Sequence, residues 1–297
     1  MTETIILPVD ADAAARSLDL YQDFRVLRRM REIDRPVDPR NRDVGLVGIA
    51  IDVETTGLDP DKHEVIELAV QRFRIDEAGF IIETGKPRTW LEQPSISIPP
   101  EIERITGLKD ADVAGRSIND GEATSMIRDA DFVVAHNASF DRPFVEARLP
   151  FTVGCPWVCS LADVDWRKLG LEDRTLSGLL ARMGCFFDAH RAQTDVSALL
   201  HLLDHVPVGQ NKTIGAMALQ RARSSTTIIE ALGAPFAARA ILRERGYRWD
   251  PARKAWHIEV LEIETSQECE WLSLHVYRGR GAASIKKVGW ETRYSRN

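Results

Sequence analysis

The 297-residue sequence has no apolar stretch long enough to span a membrane, and it is poor in cysteine. A transmembrane helix needs about 20 consecutive apolar residues, and the first twelve residues mix acids into a short apolar run, unlike a signal peptide. The four cysteines, Cys155, Cys159, Cys185 and Cys269, are too few and too irregularly spaced for a disulfide framework, and a zinc site is disfavoured. These absences predict a cytoplasmic protein with reduced thiols and no membrane partner.

The chain also lacks a net positive charge, since its formal net charge is −6. The charge is unevenly placed: residues 211–297 contain 15 Lys and Arg against 9 Asp and Glu, a net +6, which leaves −12 for residues 1–210. An acidic body can concentrate carboxylates for metal ions, and a basic appendage can meet phosphates. Chance variation between two domains is the alternative explanation.

The order of apolar segments predicts two regions before the basic appendage. Residues 1–44 are predicted to be a helical lead-in, because apolar residues recur at helical spacing from Leu18 to Met30. Residues 45–208 contain an opening meander of strands and then alternating helices and strands. This order predicts an α/β domain with a mixed sheet and helices on both faces.

Residues 209–297 are predicted to form a small C-terminal α+β module. A helix at 235–245 is expected to end at Gly246, and 247–260 reads as a β-hairpin. A second helix is expected at 266–276 and a strand at 288–294.

Two acids, Asp52 and Glu54, follow a buried apolar run at 47–51. Side chains two positions apart on a strand point to the same face. Carboxylates crowded at the end of a core strand repel each other unless cations lie between them, and oxygen ligands suit Mg²⁺ or Mn²⁺. Taken alone, the pair can equally be solvated acids at a strand end.

Two further motifs, far away in the sequence, favour a metal site over solvated acids. The sequence HNASFD at 136–141 follows an apolar strand, so Asp141 begins a helix at a strand end. The sequence HRAQTD at 190–195 opens another helix, with His190 on the preceding loop. Each acid alone can simply favour a helix dipole. Their joint presence, in this order, indicates one site.

Together with DVETTGL at 52–58, these motifs resemble the DEDDh family of 3′→5′ exonucleases, which includes the proofreading epsilon subunit of bacterial DNA polymerase III. The stretch IPPEIERITG at 98–107 is similar to the same family. The resemblance covers roughly residues 45–205 and implies a ribonuclease H-like fold. It also implies hydrolysis of single-stranded or frayed DNA ends to nucleoside 5′-monophosphates, in proofreading or repair.

The resemblance further implies a role for each motif residue. Two divalent ions, Mg²⁺ or Mn²⁺, would be held by four carboxylates, and His190 would be the general base. The four expected metal ligands are Asp52, Glu54, Asp141 and Asp195. The residues expected to meet the 3′-terminal nucleotide are Thr55, Thr56, Gly57 and Leu58, with Phe140 as a stacking or packing residue beside them.

The C-terminal module offers a second contact with the strand. Its predicted phosphate-binding residues are Arg278, Arg280, Lys286 and Lys287. Aromatic residues interleaved with cations there can form a stacking groove. We favour the alternative that the aromatics are the core of a small domain.

Two alternative functions stay open. The first is an RNA-trimming 3′→5′ exoribonuclease of the same family, because a metal site alone does not sense a 2′-OH. The second is a non-catalytic nucleic-acid-binding adaptor, which the intact motifs disfavour. DNA is favoured over RNA on the resemblance to the polymerase-associated branch, and association with a DNA polymerase or a repair complex is open.

Overall fold

The computed structural model describes residues 10–251, 253–279 and 283–296. The N-terminal segment contains α1 (Ala11–Leu18), β1 (Arg28–Arg29) and a 3₁₀ turn at Pro39–Asn41. The prediction that residues 1–44 form a helical lead-in holds at α1. It is wrong from residue 19 onward, where the chain forms β1 and a short 3₁₀ turn instead of a longer helix. Residues 1–9 lie outside the described part.

Burial explains why the helical spacing from Leu18 to Met30 does not produce a longer helix. Tyr21 and Phe24 are exposed, whereas Met30 and Ile33 contact the main core. The apolar residues thus share no single buried face, and an amphipathic helix needs one for its stability.

A mixed sheet organises the body of the chain. Its strands are β2 (Leu46–Thr55), β3 (Val65–Ile75), β4 (Ile81–Thr84), β5 (Arg88–Leu91), β6 (Phe132–Ala135) and β7 (Trp157–Cys159). The order is β4-β3-β2-β6-β7, and β5 also pairs with β3. The β2–β3, β3–β4 and β3–β5 pairs are antiparallel, and the β2–β6 and β6–β7 pairs are parallel. The predicted meander and mixed sheet are confirmed.

Helices cover both faces of this sheet, as predicted. The helices before and after β7 are α2 (Pro100–Thr106), α3 (Asp110–Val113), α4 (Asp120–Arg128), α5 (Ala138–Arg148), α6 (Leu176–Arg182), α7 (Ala192–Leu203) and α8 (Ile214–Ala222), with β8 (Cys185–Phe186) between α6 and α7. Ile51 and Val53 pack with α4 and α5, while Ala50 packs with α6, α7 and α8. The alternation along β2 therefore turns Asp52 and Glu54 toward α7.

The C-terminal module follows a β-α-β-β-α-β order. Its elements are β9 (Thr226–Ala231), α9 (Arg239–Arg245), β10 (Arg248–Asp250), β11 (Ala255–Leu261), α10 (Thr265–Leu272) and β12 (Ser284–Val288), and α10 continues into a π-helix at Ser273–Tyr277. The sheet order is β10-β11-β9-β12 with every pair antiparallel. The predicted α+β class and hairpin are confirmed, and β9 was not predicted.

The aromatic residues of the module belong mainly to its core. Tyr247 is buried, and Trp256 and Trp271 pack beside it with Leu242 of α9 and Leu272 of α10. This packing supports the core interpretation over a stacking groove. Gly246 ends α9 with φ +101°, as predicted for a C-terminal glycine.

The strand predicted at 288–294 is wrong beyond Val288. Residues after β12 form turns, in which the amides of Thr292 and Arg293 donate to the carbonyl of Gly289. The alternation of apolar residues arises because this turn segment is packed against the body. Tyr294, for example, joins the core cluster of α4 and α5.

The module and the body share contacts across the predicted boundary at 208/209. Ile214 and Ala218 of α8 are buried in the same core as α7, so α8 packs with the body. The division into residues 1–44, 45–208 and 209–297 stays a prediction. In the described part of the chain, no helix has the length and apolar character to cross a membrane.

Candidate active site

Three carboxylates converge at the end of β2. Asp52, Glu54 and Asp195 each offer an oxygen within 4.8 Å of the others. Asp52 and Glu54 are two positions apart on β2, and Asp195 is in the first turn of α7. The predicted same-face pair and the distant acid thus lie together because α7 packs on that face of the sheet.

The fourth predicted ligand, Asp141, approaches from α5. Its side chain is buried, and its Oδ1 accepts a hydrogen bond of 3.2 Å from the backbone N–H of Val53. Val53 separates Asp52 from Glu54, so the carboxylate of Asp141 lies beside both. Asp141 therefore interacts electrostatically with Asp52, Glu54 and Asp195, whereas only the other three acids share the group of oxygens within 4.8 Å.

Crowding and burial set the electrostatics of this cluster. Burial, and then the charges of Asp141 and Asp195, raise the pKa of Asp52 well above its ordinary value. Burial, followed by the charge of Asp195, raises the pKa of Glu54 to about 8. Burial also raises the pKa of Asp195 to about 6, although backbone N–H groups of Arg191 and His190 oppose this. A cation would relieve the repulsion, and an all-oxygen donor set fits Mg²⁺ or Mn²⁺.

A fifth carboxylate, Glu67, was missed in the sequence. It lies opposite Glu54 in the β2–β3 ladder and is buried. It accepts hydrogen bonds from the Arg191 guanidinium at 3.0 and 3.3 Å and from the Ala192 N–H at 3.1 Å. Glu67 therefore fixes the start of α7, which carries Asp195. A lone acid in an otherwise apolar strand needs a polar partner when it is buried. The position of Glu67 within the apolar segment 65–70 is therefore the sequence feature that indicates its role.

His190 lies on the loop immediately before α7. Its side chain is exposed, its φ is +70°, and it interacts electrostatically with Asp195. A non-glycine residue rarely adopts this conformation, and such strained residues concentrate at functional sites. The His190 side chain is therefore accessible from solvent and close enough to Asp195 to interact with its charge.

The loop after β2 contains the predicted end-binding residues. The Thr55 hydroxyl donates to the Gly57 carbonyl at 2.6 Å, and the Thr56 N–H donates to the Glu64 carbonyl at 2.9 Å. A Cβ on Gly57 would lie 2.4 Å from the ring of His63, so any other residue there would displace that ring. Leu58 is 82% exposed at its tip.

Phe140 is half-buried beside this region. Its ring centroid lies 5.1 Å from that of Phe144, and it packs against the core of α4 and α5. These contacts support a packing role for Phe140.

The predicted phosphate contacts of the module lie on its own sheet and loops. Lys286 is exposed on β12, and Arg278 is exposed after the π-helix with φ +51°. Lys287 forms an exposed ion pair with Glu262, which offsets part of the attraction of Lys287 for a phosphate. Arg280 lies outside the described residues. Among the described residues, Arg278, Lys286 and Lys287 are not among the main causes of the pKa shifts of Asp52, Glu54, Asp141 and Asp195.

Comparison with known proteins places this site in a family. Residues 49–203, just over half of the chain, match the family model RNase_T, described as "Exonuclease". Ribonuclease T of Blochmanniella pennsylvanica (strain BPEN) is 28% identical over 181 residues, which cover 52% of this chain and 80% of that protein. The DNA polymerase III subunit epsilon of Treponema pallidum (strain Nichols) is 27% identical over 166 residues, covering 52% and 73% respectively.

Other matches are more partial. Ribonuclease T of Haemophilus influenzae (strain PittEE) is 33% identical over 121 residues, which are 36% of this chain. The chain spans about half the length of this relative, at 53%. The solved structure of exonuclease X in complex with 5′ overhanging duplex DNA has a TM-score of 0.41 and 20% identity, covering 57% of this chain and 99% of that one.

The matched residues 49–203 include the four clustered acids and His190, and they exclude the N-terminal segment and the module. The resemblance predicted from the motifs is confirmed, and the chain belongs to the exonuclease family.

Proposed function

We propose that the chain is a metal-dependent 3′→5′ exonuclease that releases nucleoside 5′-monophosphates from a strand end. The observation that carries this proposal is the meeting of Asp52, Glu54 and Asp195, with oxygens within 4.8 Å. Buried Asp141 and exposed His190 both interact with this group. If these acids only stabilised a strand end or the starts of helices, we would not expect acids from β2, α5 and α7 to lie together.

The carboxylates would hold two divalent ions, Mg²⁺ or Mn²⁺, which would supply charge stabilisation to the scissile phosphate. Asp52 and Glu54 are held on a central strand, so their spacing is fixed by the sheet. Asp141 uses one oxygen to accept from Val53, which orients its carboxylate toward the cluster. Asp195 is held by the hydrogen bond of 3.1 Å from the Arg191 N–H.

His190 would be the general base. It would take a proton from the attacking water as the water oxygen bonds to phosphorus and the bond from phosphorus to the 3′ oxygen breaks. Neutral imidazole is suited to this step near neutral pH. The products are a nucleoside 5′-monophosphate and a strand shortened by one residue.

The loop of Thr55, Thr56, Gly57 and Leu58 would receive the terminal nucleotide. Its internal hydrogen bonds make the loop rigid, and Leu58 projects an apolar side chain into solvent, where it can wedge beside the last base. Phe140 would pack beneath that pocket. Arg278 and Lys286 would contact phosphates further along the strand, whereas Lys287 is the weakest of these candidates because Glu262 binds it.

DNA with single-stranded or frayed ends is the first candidate substrate, resting on the motif resemblance to the polymerase-associated branch. RNA is the second candidate, because 80% of the length of a protein named ribonuclease T aligns with this chain. Association with a DNA polymerase or repair complex is a further prediction, motivated by similarity to a protein named as a polymerase III subunit.

The test uses matched DNA and RNA strands, each blocked at the 3′ or the 5′ end, with Mg²⁺, with Mn²⁺ and with chelator. We expect metal-dependent release of 5′-monophosphates from free 3′ ends only. Asp195→Asn should abolish release, whereas Asp129→Asn, an exposed acid that ends α4, should not. Hydrolysis in chelator, or by Asp195→Asn at the wild-type rate, would reject the proposal. Binding without hydrolysis would support the adaptor alternative.

A further inference from the structure

A strand of the N-terminal segment pairs with the chain that leads to His190. β1 runs parallel to β8, which ends at Phe186, four positions before His190. The Arg28 N–H donates to the Gly184 carbonyl at 2.8 Å, and the Met30 N–H donates to the Phe186 carbonyl at 2.9 Å. The segment after α6 is thus held by backbone bonds to residues outside the family match at 49–203.

Two arginine side chains add to this pairing. The Arg29 guanidinium lies 2.8 Å from Asp188 and 4.9 Å from the ring centroid of Phe186. Arg25 donates to the carbonyls of Ala181 and Arg182 at 2.7 and 2.8 Å. Those carbonyls lie at the end of α6, where backbone acceptors are left over, although the Ala181 carbonyl also accepts from the Gly184 N–H at 3.1 Å. The segment 181–188 is therefore held at both ends by the N-terminal segment.

The N-terminal segment is itself tied to the body. Ile33 packs against the main core, and the Arg35 guanidinium lies 2.8 and 3.0 Å from the two carboxylate oxygens of Asp204 at the end of α7. Arg35 also donates to the Ile81 carbonyl on β4. A segment with these attachments can transmit rigidity to the loop.

On the other side of His190, Glu67 holds Arg191 and Ala192. Only residues 189 and 190 therefore lie between Asp188, which Arg29 contacts, and Arg191, which Glu67 contacts. A residue with φ +70° keeps such a conformation only where its surroundings impose it. The two contacts supply that constraint.

We propose that residues 25–35 brace the loop at 184–190, and that Arg29 is a positioning residue for His190. This inference rests on the proposed exonuclease function, in which His190 is the base. A general base must be within hydrogen-bond reach of its proton, so a loosened loop lowers turnover while the rim that binds the strand is unchanged.

The test compares Arg29→Ala with Arg28→Ala in the full chain. Arg28 is the matched control, because its side chain pairs with Asp19 within the N-terminal segment and its backbone bond survives the substitution. We expect Arg29→Ala to lower kcat on the order of tenfold with KM unchanged, since misplacing a catalytic group by an ångström costs up to about a hundredfold. Arg28→Ala should match the wild type. Asp188→Asn, at a side chain 81% exposed, should reproduce the loss without endangering the fold.

Two further readouts separate positioning from general stability. In a His190→Ala background, Arg29→Ala should have no additional effect on kcat, and an equal further loss would overturn the proposal. Hydrogen–deuterium exchange of peptides spanning 184–190 should increase in Arg29→Ala and not in Arg28→Ala. Unchanged exchange, or unchanged kcat in an active enzyme, would refute the brace alone. A wild-type protein with no nuclease activity would instead refute the proposed function.

Discussion

The guanidinium of Arg142 connects α5 to the last residues of the chain, and its removal should be the most damaging single change outside the carboxylate cluster. The side chain is fully buried. It donates to Glu146 at 2.7 Å and to the carbonyls of Trp290, Glu291 and Arg293 at 3.2, 2.5 and 2.8 Å. Arginine stays charged even when burial lowers its pKa, as it does here.

Arg142→Ala takes the cation away from the buried carboxylate of Glu146 and the donors away from three carbonyls. Removing one partner of a buried ion pair costs about 3–5 kcal/mol. The bond of 2.6 Å that Glu146 accepts from Ser295 offsets only part of this cost, because Ser295 belongs to the segment that Arg142 holds. We therefore expect the free energy of unfolding to fall by about 3–5 kcal/mol.

Urea unfolding of Arg142→Ala and Arg128→Ala measures this difference. Arg128 is the matched control, since it is exposed at the end of α4 and donates one bond of 2.9 Å to the Phe151 carbonyl. Arg128→Ala should lower the free energy of unfolding by about 0.5–1.5 kcal/mol. Trypsin should also cleave after Arg293 sooner in Arg142→Ala. A loss below about 1 kcal/mol in Arg142→Ala, or equal losses in both variants, would refute the reasoning.

Three other outcomes follow from the site and its supports. Glu54 and Asp195 have pKa values raised to about 8 and about 6, so the folded protein holds protons that the unfolded chain releases above about pH 4.5. The metal-free protein should therefore lose stability as pH rises from about 4.5 to 8, and Mg²⁺ or Mn²⁺ should reduce that loss; melting temperatures that rise with pH in chelator would contradict the sign. Glu67→Gln should weaken the hold on the start of α7 and lower kcat on the order of tenfold with an unchanged circular-dichroism spectrum, and wild-type turnover would show that this anchor is dispensable. A chain ending at Val208 should unfold without a sharp calorimetric transition, because it lacks α8 and the carbonyls that Arg142 binds, and a folded, active fragment would contradict this.

The local part of the site was predictable from the sequence. Strand alternation predicts that Asp52 and Glu54 share one face, and the resemblance of three separate motifs to one family predicts that Asp195 lies near them. The structure places Asp52, Glu54 and Asp195 together, because a strand has a period of two and α7 packs on that face of the sheet. The residues around the cluster were not predictable in the same way, since Glu67 and Arg191 are 124 positions apart.

The errors have a common physical cause. The apolar spacing from Leu18 to Met30 predicts a helix, and the alternation from 288 to 294 predicts a strand. In both segments the chain has little regular secondary structure. Each segment packs against the body of the protein as an irregular strand or a turn. Periodicity reports which residues are buried, and it indicates a regular element only where the burial surface is itself regular.

Residues 25–35 and residues 289–295 both contact residues beside the candidate ligands, although both segments lie outside the matched residues 49–203. The N-terminal segment holds the loop before His190, and the C-terminal turn receives Arg142, the neighbour of Asp141 in α5. Catalysis by fixed carboxylates depends on geometry set before the substrate arrives, so any residue that restricts these two neighbours contributes to it. The family motifs point to the proposed reacting groups, whereas segments outside the matched residues hold the neighbours of those groups. Substitutions at Arg29 or Arg142 should therefore change turnover or stability although no motif residue is substituted.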